Sequence, residues 1–277
     1  LESLDACVAF LRGRLPPLHG LQFHLAGLPG PRRAWVIWQQ RGGCGGVALT
    51  PMPANIRVVV ETGSTNEDMK ALALAGEPEG VWLRAERQTG GKGRMGRVWE
   101  GEAGNLFAST LVRLAALDPA PPTLALVAAV AVHEALSEFV GEGVLTLKWP
   151  NDVMASNAKL CGMLMERAGD AIIIGIGVNV ASAPQLPDRA TSSLYALGAT
   201  QCDAASVLER IADRFSEWLT RWRTYGAEPI VRAWEARAHP RGAALLTELP
   251  DGERVSGTFE GLEPSGALIL RLADGSN

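Results

Sequence analysis

The chain has 277 residues, 47% of them hydrophobic, with a formal charge of −4 and a pI of about 5.7. That is enough apolar material for one large domain and a smaller one, and the near-balanced charge argues against wholesale nucleic-acid binding. Cys7, Cys44, Cys161 and Cys202 form no C-x-x-C pair and the four histidines no cluster, so neither a disulfide framework nor a zinc site is expected.

No charged-then-apolar leader opens the chain, and its longest apolar run, Leu124 to Val132, is too short to span a bilayer. A soluble, cytoplasmic protein with reduced thiols and no membrane partner is expected. Residues 1–55 hold a possible helix over Leu4 to Leu11, then repeated prolines and the loop Gly42-Gly43-Cys44-Gly45-Gly46. No pair of helices joined by a short turn, as DNA reading by a helix-turn-helix requires, is found there.

From Ile56 to Val60 a β-branched run predicts a strand. Ser64 and Glu67 have capping-box spacing ahead of a helix carrying Met69, Leu72, Ala73 and Leu74 and ending at Gly76. One of Ser64, Thr65 and Asn66 suffices as a cap; the other two suit a small ligand rich in hydrogen-bonding groups. Val81 to Ala85 predicts a second strand, which delivers the chain into Gln88-Thr89-Gly90-Gly91-Lys92-Gly93-Arg94-Met95-Gly96-Arg97-Val98-Trp99. Glycines there allow close backbone approach to a ligand, successive N–H groups can form an anion nest, and Lys92, Arg94 and Arg97 add charge suited to phosphate or carboxylate. Composition alone fits a solvated surface loop equally well. Only Lys70, Lys92, Lys148 and Lys159 are lysines among 26 basic residues, and the last three lie in the unusual segments, a sign that Arg does not substitute there.

Asn105 to Leu114 predicts a third strand, and Thr123 to Phe139 a helix apolar nearly all round and therefore buried, with His133 a packed or surface residue and not a ligand. Val144 to Lys148 reads as a strand into Trp149-Pro150-Asn151-Asp152, where Asn-Asp is either turn chemistry or a functional pair. Lys159 opens a strand running to Glu166; Ala171 to Val180 is a continuous apolar strand expected at the centre of a sheet, its glycines implying close approach by a backbone or ligand. Residues 181–202 read as loop with a short helix near Ser193 to Leu197. Asp203 caps a long helix with a stripe of Leu208, Ile211, Phe215, Trp218 or Leu219, and Trp222, ended by Gly226 and Pro229 before a short helix through Trp234. Three strands follow, Ala244 to Leu249, Arg254 to Leu262 and Ala267 to Leu272, the start of a small barrel that stops with an unpaired edge.

Five of these segments, in this order, resemble the biotin protein ligases: Gly63-Ser64-Thr65-Asn66, Gln88 to Trp99, Lys148-Trp149-Pro150-Asn151-Asp152, Lys159 to Leu164 and Gly175-Ile176-Gly177-Val178-Asn179. The resemblance implies an α+β fold, a mixed central sheet with flanking helices as in class II synthetase-like biotin/lipoate ligases, plus a small SH3-like β-barrel. Domain limits are then 1–55 for an irregular extension, 56–228 for the catalytic domain and 229–277 for an incomplete barrel.

The resemblance implies two steps, activation of biotin by ATP to biotinyl-5′-AMP and transfer to a lysine of a biotin carboxyl carrier domain. It assigns Ser64, Thr65, Asn66 and Gln88 to the ureido end of biotin, and Lys92, Gly93 and Arg94 to its carboxylate and the phosphate. Lys159 would touch biotin and the forming anhydride, so Lys92, Arg94 and Lys159 are the catalytic candidates. Arg94, Arg97, Trp99, Asn151, Asp152 and Asn179 would border ATP, with Trp99 against adenine and Asp152 near Mg²⁺. The glycine-rich loop is expected to be mobile when empty and to order over the adenylate. A homodimer is allowed by the resemblance; nucleic acid is not an expected partner. This chain departs from the family in carrying Lys92 and Met95 where arginines are frequent. The alternatives are a lipoate or octanoyl ligase or transferase of the same fold, a biotin-sensing transcriptional regulator, and a non-catalytic anion-binding module.

Overall fold

Residues 54–99, 102–248 and 252–276 are described by the structure, a computed structural model. The expected helix over Leu4 to Leu11, the 42–46 loop and the tip of the Pro250-Asp251 turn lie outside the described residues. Among the described residues there are ten strands, β1 Asn55–Thr62, β2 Val81–Gln88, β3 Leu106–Arg113, β4 Leu145–Lys148, β5 Asp152–Ala155, β6 Ala158–Ala168, β7 Ala171–Val178, β8 Ala244–Glu248, β9 Arg254–Leu262 and β10 Leu268–Arg271. Four α-helices accompany them, α1 Thr65–Leu74, α2 Leu124–Val140, α3 Ala204–Tyr225 and α4 Glu228–Glu235. β1 to β7 make one sheet in the order β1-β2-β3-β7-β6-β5-β4, and β8 to β10 a second sheet with β9 in the middle. Among these strands only neighbours β1 and β2 pair in parallel, and the helix α1 makes the crossover between them.

β7 is the fourth of seven strands, as its unbroken apolar sequence leads one to expect of a strand covered on both faces. Period-two alternation divides its side chains between two cores. Ile172, Ile174, Ile176 and Val178 face the larger one, built with α2 and α3, while Ile173 joins Met69 and Ala73 of α1 on the other face. β2 divides in the same way, Trp82 to the larger core and Val81 and Leu83 to the smaller.

With the 3-10 turn before it, Pro121–Val140 is long and apolar enough to cross a bilayer by composition. Here it is a core helix, with Leu124, Val127, Ala128, Val130 and Val132 wholly buried. His133 on it is packed as expected: Nε2 lies 3.2 Å from the Leu145 carbonyl, and burial lowers its pKa. α3 opens on a reciprocal cap, Asp203 accepting from the Ser206 N–H at 2.8 Å while the Ser206 hydroxyl takes the Asp203 N–H at 3.0 Å. Its stripe follows the predicted spacing, and the Trp222 indole N–H donates to Thr123 at 2.7 Å inside the core.

Three local readings are corrected. Ser64 stands at the N-cap position of α1 in extended conformation but makes no side-chain cap, so the Ser64/Glu67 box is not formed. Residues 194–198 form turns instead of a helix. Asp152 opens a strand, β5, that its four-residue length hid behind the Pro150-Asn151 turn.

The small sheet is fastened to the body through several contacts. Trp234 meets Phe259 edge-on at 6.2 Å, Glu235 accepts from the Leu262 N–H at 2.8 Å, and Trp149 Nε1 donates to the Gly266 carbonyl at 3.1 Å. The last contact ties this sheet to the turn that carries Asn151 and Asp152.

Candidate active site

The start of α1, the end of β2, the loop that follows it, the 149–152 turn, β6 and β7 border one cleft of about 480 Å³, within the range typical of small-molecule sites. Every site residue expected from the sequence lines it: Ser64, Thr65, Asn66, Gln88, Lys92, Gly93, Arg94, Arg97, Trp99, Asn151, Asp152, Lys159 and Asn179.

One end is a buried polar cluster. Ser64, Thr65 and Asn66 are 6%, 3% and 4% exposed, although each is a hydrogen-bonding residue that ordinarily seeks water. Gln88 Oε1 accepts from both the Thr65 N–H at 2.8 Å and the Thr65 hydroxyl at 3.0 Å. Gln88 therefore takes a free N–H at the helix start that a side-chain cap would otherwise serve. Ser109, on β3, lies 2.8 Å from the Thr65 hydroxyl and 2.7 Å from Asn66 Oδ1. The Asn66 carboxamide lies on Gly175: a Cβ there would come within 2.3 Å of Oδ1.

The other end holds charge. Lys159 Nζ is 2.6 Å from Asp152 Oδ1, an ion pair whose side chains are 16% and 20% exposed. That oxygen is buried and receives no hydrogen bond of acceptable angle, so the contact is an ion pair in its distance alone. Lys159 Nζ also stands 5.4 Å from the centre of the Trp99 ring, within cation–π range. Beneath that indole lie Gly177 and Gly162, where a Cβ would come within 2.4 Å and 2.7 Å of ring atoms. The glycines of β6 and β7 thus mark the approach of side chains, Asn66 and Trp99, to the sheet. Asn151 and Asn179 are structural as well as cleft-lining. The Asn151 amide donates to the Met163 carbonyl, and buried Asn179 donates to the carbonyls of Ser192 at 3.0 Å and Lys159 at 3.4 Å.

The glycine-rich loop closes on itself through Trp99 N–H to the Gly91 carbonyl at 3.0 Å and Gly93 N–H to the Arg97 carbonyl at 2.7 Å. Met95 and Gly96 sit at positive φ of 56° and 72°, and Gly91 has no room for a Cβ, which would be 2.6 Å from the Trp99 carbonyl oxygen. Lys92 is half-exposed and paired with Glu67 at 2.7 Å. Hydrogen bonds from Lys92, then Lys70, hold the Glu67 carboxyl below its ordinary pKa. Arg94 and Arg97 are exposed at the mouth.

Sequence reasoning missed several lining residues. Arg189 and Thr191 reach the cleft from the 181–202 loop, and Leu246 and Thr247 from β8. Arg189 is paired with Asp188, whose carboxyl it holds low; an adjacent Asp-Arg pair in a loop carries no local sign of a site. Ser109 and Glu166 stand behind the wall, visible only through their contacts with Asn66. Asp152 is the one carboxylate expected near a metal, and it is engaged by Lys159. Among the described residues no group of three or more His, Cys, Asp or Glu could hold a metal ion.

Residues 62–179 match the biotin/lipoate A/B protein ligase family. The chain is 37% identical over 226 residues to a biotin–[acetyl-CoA-carboxylase] ligase of Paracoccus denitrificans, covering 77% of this chain and 93% of that protein. It is 36% identical over 219 residues to the enzyme of the same name from Mycobacterium tuberculosis, covering 77% and 82%. Among solved structures, the biotin protein ligase of Aquifex aeolicus in complex with biotin and ATP superposes with a TM-score of 0.71 at 30% identity, over 80% of this chain and 93% of that one. Fold, motif order and relatedness over nearly the whole length of these enzymes agree, and the chain belongs to the biotin/lipoate A/B protein ligase family.

Proposed function

We infer that this protein is an ATP-dependent biotin protein ligase. The observation that carries this is the convergence of a buried polar pocket and a cationic mouth on one cleft, the two halves that a ureido acid and a nucleotide require. In the first step a biotin carboxylate oxygen attacks the α-phosphorus of ATP, forming the acyl–phosphate bond as pyrophosphate leaves. In the second, a carrier lysine amine attacks the acyl carbon, AMP leaves with the bonding electrons, and the amine gives up a proton.

Both steps bring anions or developing negative charge together, so the chain's contribution is cations and donors fixed beforehand. Ser64, Thr65, Asn66 and Gln88 would hold the ureido end. Lys92, Gly93 and Arg94 would meet the carboxylate and α-phosphate, and Lys159 would face the forming anhydride. Arg97, Trp99, Asn151, Asp152 and Asn179 would border the nucleotide. Trp99 covering Gly162 and Gly177 supports a role in keeping water from the mixed anhydride. Mg²⁺ would arrive on the ATP phosphates, since magnesium usually keeps its waters and few protein ligands; among the described residues no cluster of three donors makes a dedicated site for it. Residues 56–228 would carry the chemistry, with Leu246 and Thr247 of the 229–277 segment at the cleft facing the carrier. The buried free thiols Cys161 and Cys202 suit a cytoplasmic setting.

Mass spectrometry of a carrier domain incubated with the protein, biotin and MgATP tests the inference. One biotinyl group on one lysine is expected. An unmodified carrier, with adenylate formed from lipoate but not from biotin, would overturn it in favour of a lipoate enzyme.

A further inference from the structure

We propose that Glu166, outside the cleft, is a positioning residue that sets which atom of the Asn66 carboxamide is offered to the ureido group. This deepens the biotin reading above and rests on it.

Glu166 lies on β6 and Asn66 at the start of α1, a hundred positions apart in sequence, yet Asn66 Nδ2 donates to Glu166 Oε2 at 2.7 Å. An ionised carboxylate only accepts hydrogen bonds. It therefore draws the amide nitrogen of Asn66 toward β6, where the Leu164 carbonyl at 3.5 Å is a second, longer acceptor, and leaves the oxygen toward Ser109 and Gly175, whose bare backbone makes room for it. Lys70 holds that carboxylate in place, with Nζ 2.5 Å from Glu166 Oε1 and 3.2 Å from Glu67 Oε1. Burial works against the Lys70 ammonium, but the hydrogen bonds it donates to Glu166 and Glu67 outweigh this and raise its pKa.

Counting protons then shows what is left for a ligand. Ser109 has one hydroxyl proton and two close oxygens, Thr65 Oγ1 and Asn66 Oδ1. The hydroxyl protons of Thr65 and Ser109 serve three close oxygen pairs, and in every sharing of them Asn66 Oδ1 keeps at least one of its two lone pairs for a ligand donor. A ureido group carries N–H donors beside a carbonyl, so one of its N–H groups can complete this set. With the amide turned over, an N–H would face an N–H and the match would be lost. Glu166 prevents that turn without touching the ligand.

The test is biotin binding by calorimetry, with biotin-dependent pyrophosphate exchange, on the full chain. Glu166→Met removes the acceptor at similar volume, and Glu166→Gln keeps an acceptor. In Glu166→Met, Kd and KM for biotin should rise roughly tenfold or more, the scale of one charge-assisted hydrogen bond. KM for ATP and kcat at saturating biotin should stay within about twofold of wild type, and Glu166→Gln should restore most of the biotin affinity. In an Asn66→Ala background, Glu166→Met should cost nothing further. Folded Glu166→Met binding biotin as wild type does, or full additivity with Asn66→Ala, overturns the proposal. So would equal losses in biotin KM, ATP KM and kcat, the mark of a purely structural role. If Glu166→Met does not fold, Glu166→Asp, one methylene short of Asn66, gives the same readout. Wild-type protein that binds no biotin would instead sink the parent reading.

Discussion

Replacing Lys159 by Met separates what this residue does for the fold from what it does for the reaction. Lys159 Nζ is 2.6 Å from an Asp152 oxygen that is buried and has no hydrogen bond, so the ammonium is that oxygen's close compensation. Met keeps the length of the side chain and removes the charge. Stranding a fully buried partner costs about 3–5 kcal/mol. Here the side chains are 16% and 20% exposed, and water reaching Asp152 reduces this to about 2 kcal/mol. In a chain of this size that is a fall in Tm of about 4–8 °C by thermal melt. The double variant Lys159→Met with Asp152→Asn should recover most of the loss, because an amide needs no counter-charge. Pyrophosphate exchange should behave otherwise. A positioned cation facing developing charge is worth about 10²–10³ in rate, and the double variant should not regain it. A Tm within about 1 °C of wild type in Lys159→Met would refute the stabilising role of the pair. Exchange restored in the double variant would refute the placing of Lys159 on the reacting groups.

Three further outcomes are expected. Gly175→Ala places a methyl 2.3 Å from Asn66 Oδ1, and overpacking of this kind costs about 1–3 kcal/mol; biotin Kd should rise roughly tenfold with ATP KM unchanged, and an unchanged biotin Kd by calorimetry would show that the amide yields freely. His133 and His239 have pKa values lowered, first by burial, with Arg237 and Lys148 adding to it respectively. The unfolded chain therefore binds protons that the native protein refuses, and stability present above a pH of about 6.5 should decline as pH falls below it. Urea melts at successive pH values should show a shallower decline in His133→Gln, and an identical one would contradict the assignment. Burial pushes the Cys161 thiol far above its ordinary pKa. Iodoacetamide should leave the Cys161 peptide unmodified in native protein and alkylate it in urea, as read by mass spectrometry; native labelling would show the site to be open.

How far the sequence revealed this molecule depends on how local each cause is. Ile172 to Val178 read as a central strand because burial on both faces writes itself into consecutive residues. Asp203 read as a cap because its partner, Ser206, is three residues away. The cleft was legible for a related reason: each of its motifs is a short run held at the end of one element, so all the expected site residues line it. β5 was hidden because four residues carry too little periodicity to separate them from a turn. Ser64 failed as a cap because the helix start is turned toward the cleft, where Gln88, twenty-three residues on, answers the Thr65 N–H instead. Glu166 and Ser109 were illegible altogether, since their partner, Asn66, is brought to them by the sheet and by no local pattern.

The same distinction between local and distant partners explains how a cationic loop can await an anion without being trapped. Lys92 has a partner already, Glu67, but the two side chains are 55% and 45% exposed. An ion pair in that much water is worth about 0–1 kcal/mol, so it fixes the loop's side chain loosely and releases it at small cost. Lys159 is held by Asp152 where water is scarce, and neither partner can leave without stranding the other. Charge at the mouth is therefore exchangeable and charge on the floor is fixed. On the proposed roles, a carboxylate meeting Lys92 would displace only a weak contact, whereas at Lys159 it would join a pair already in position.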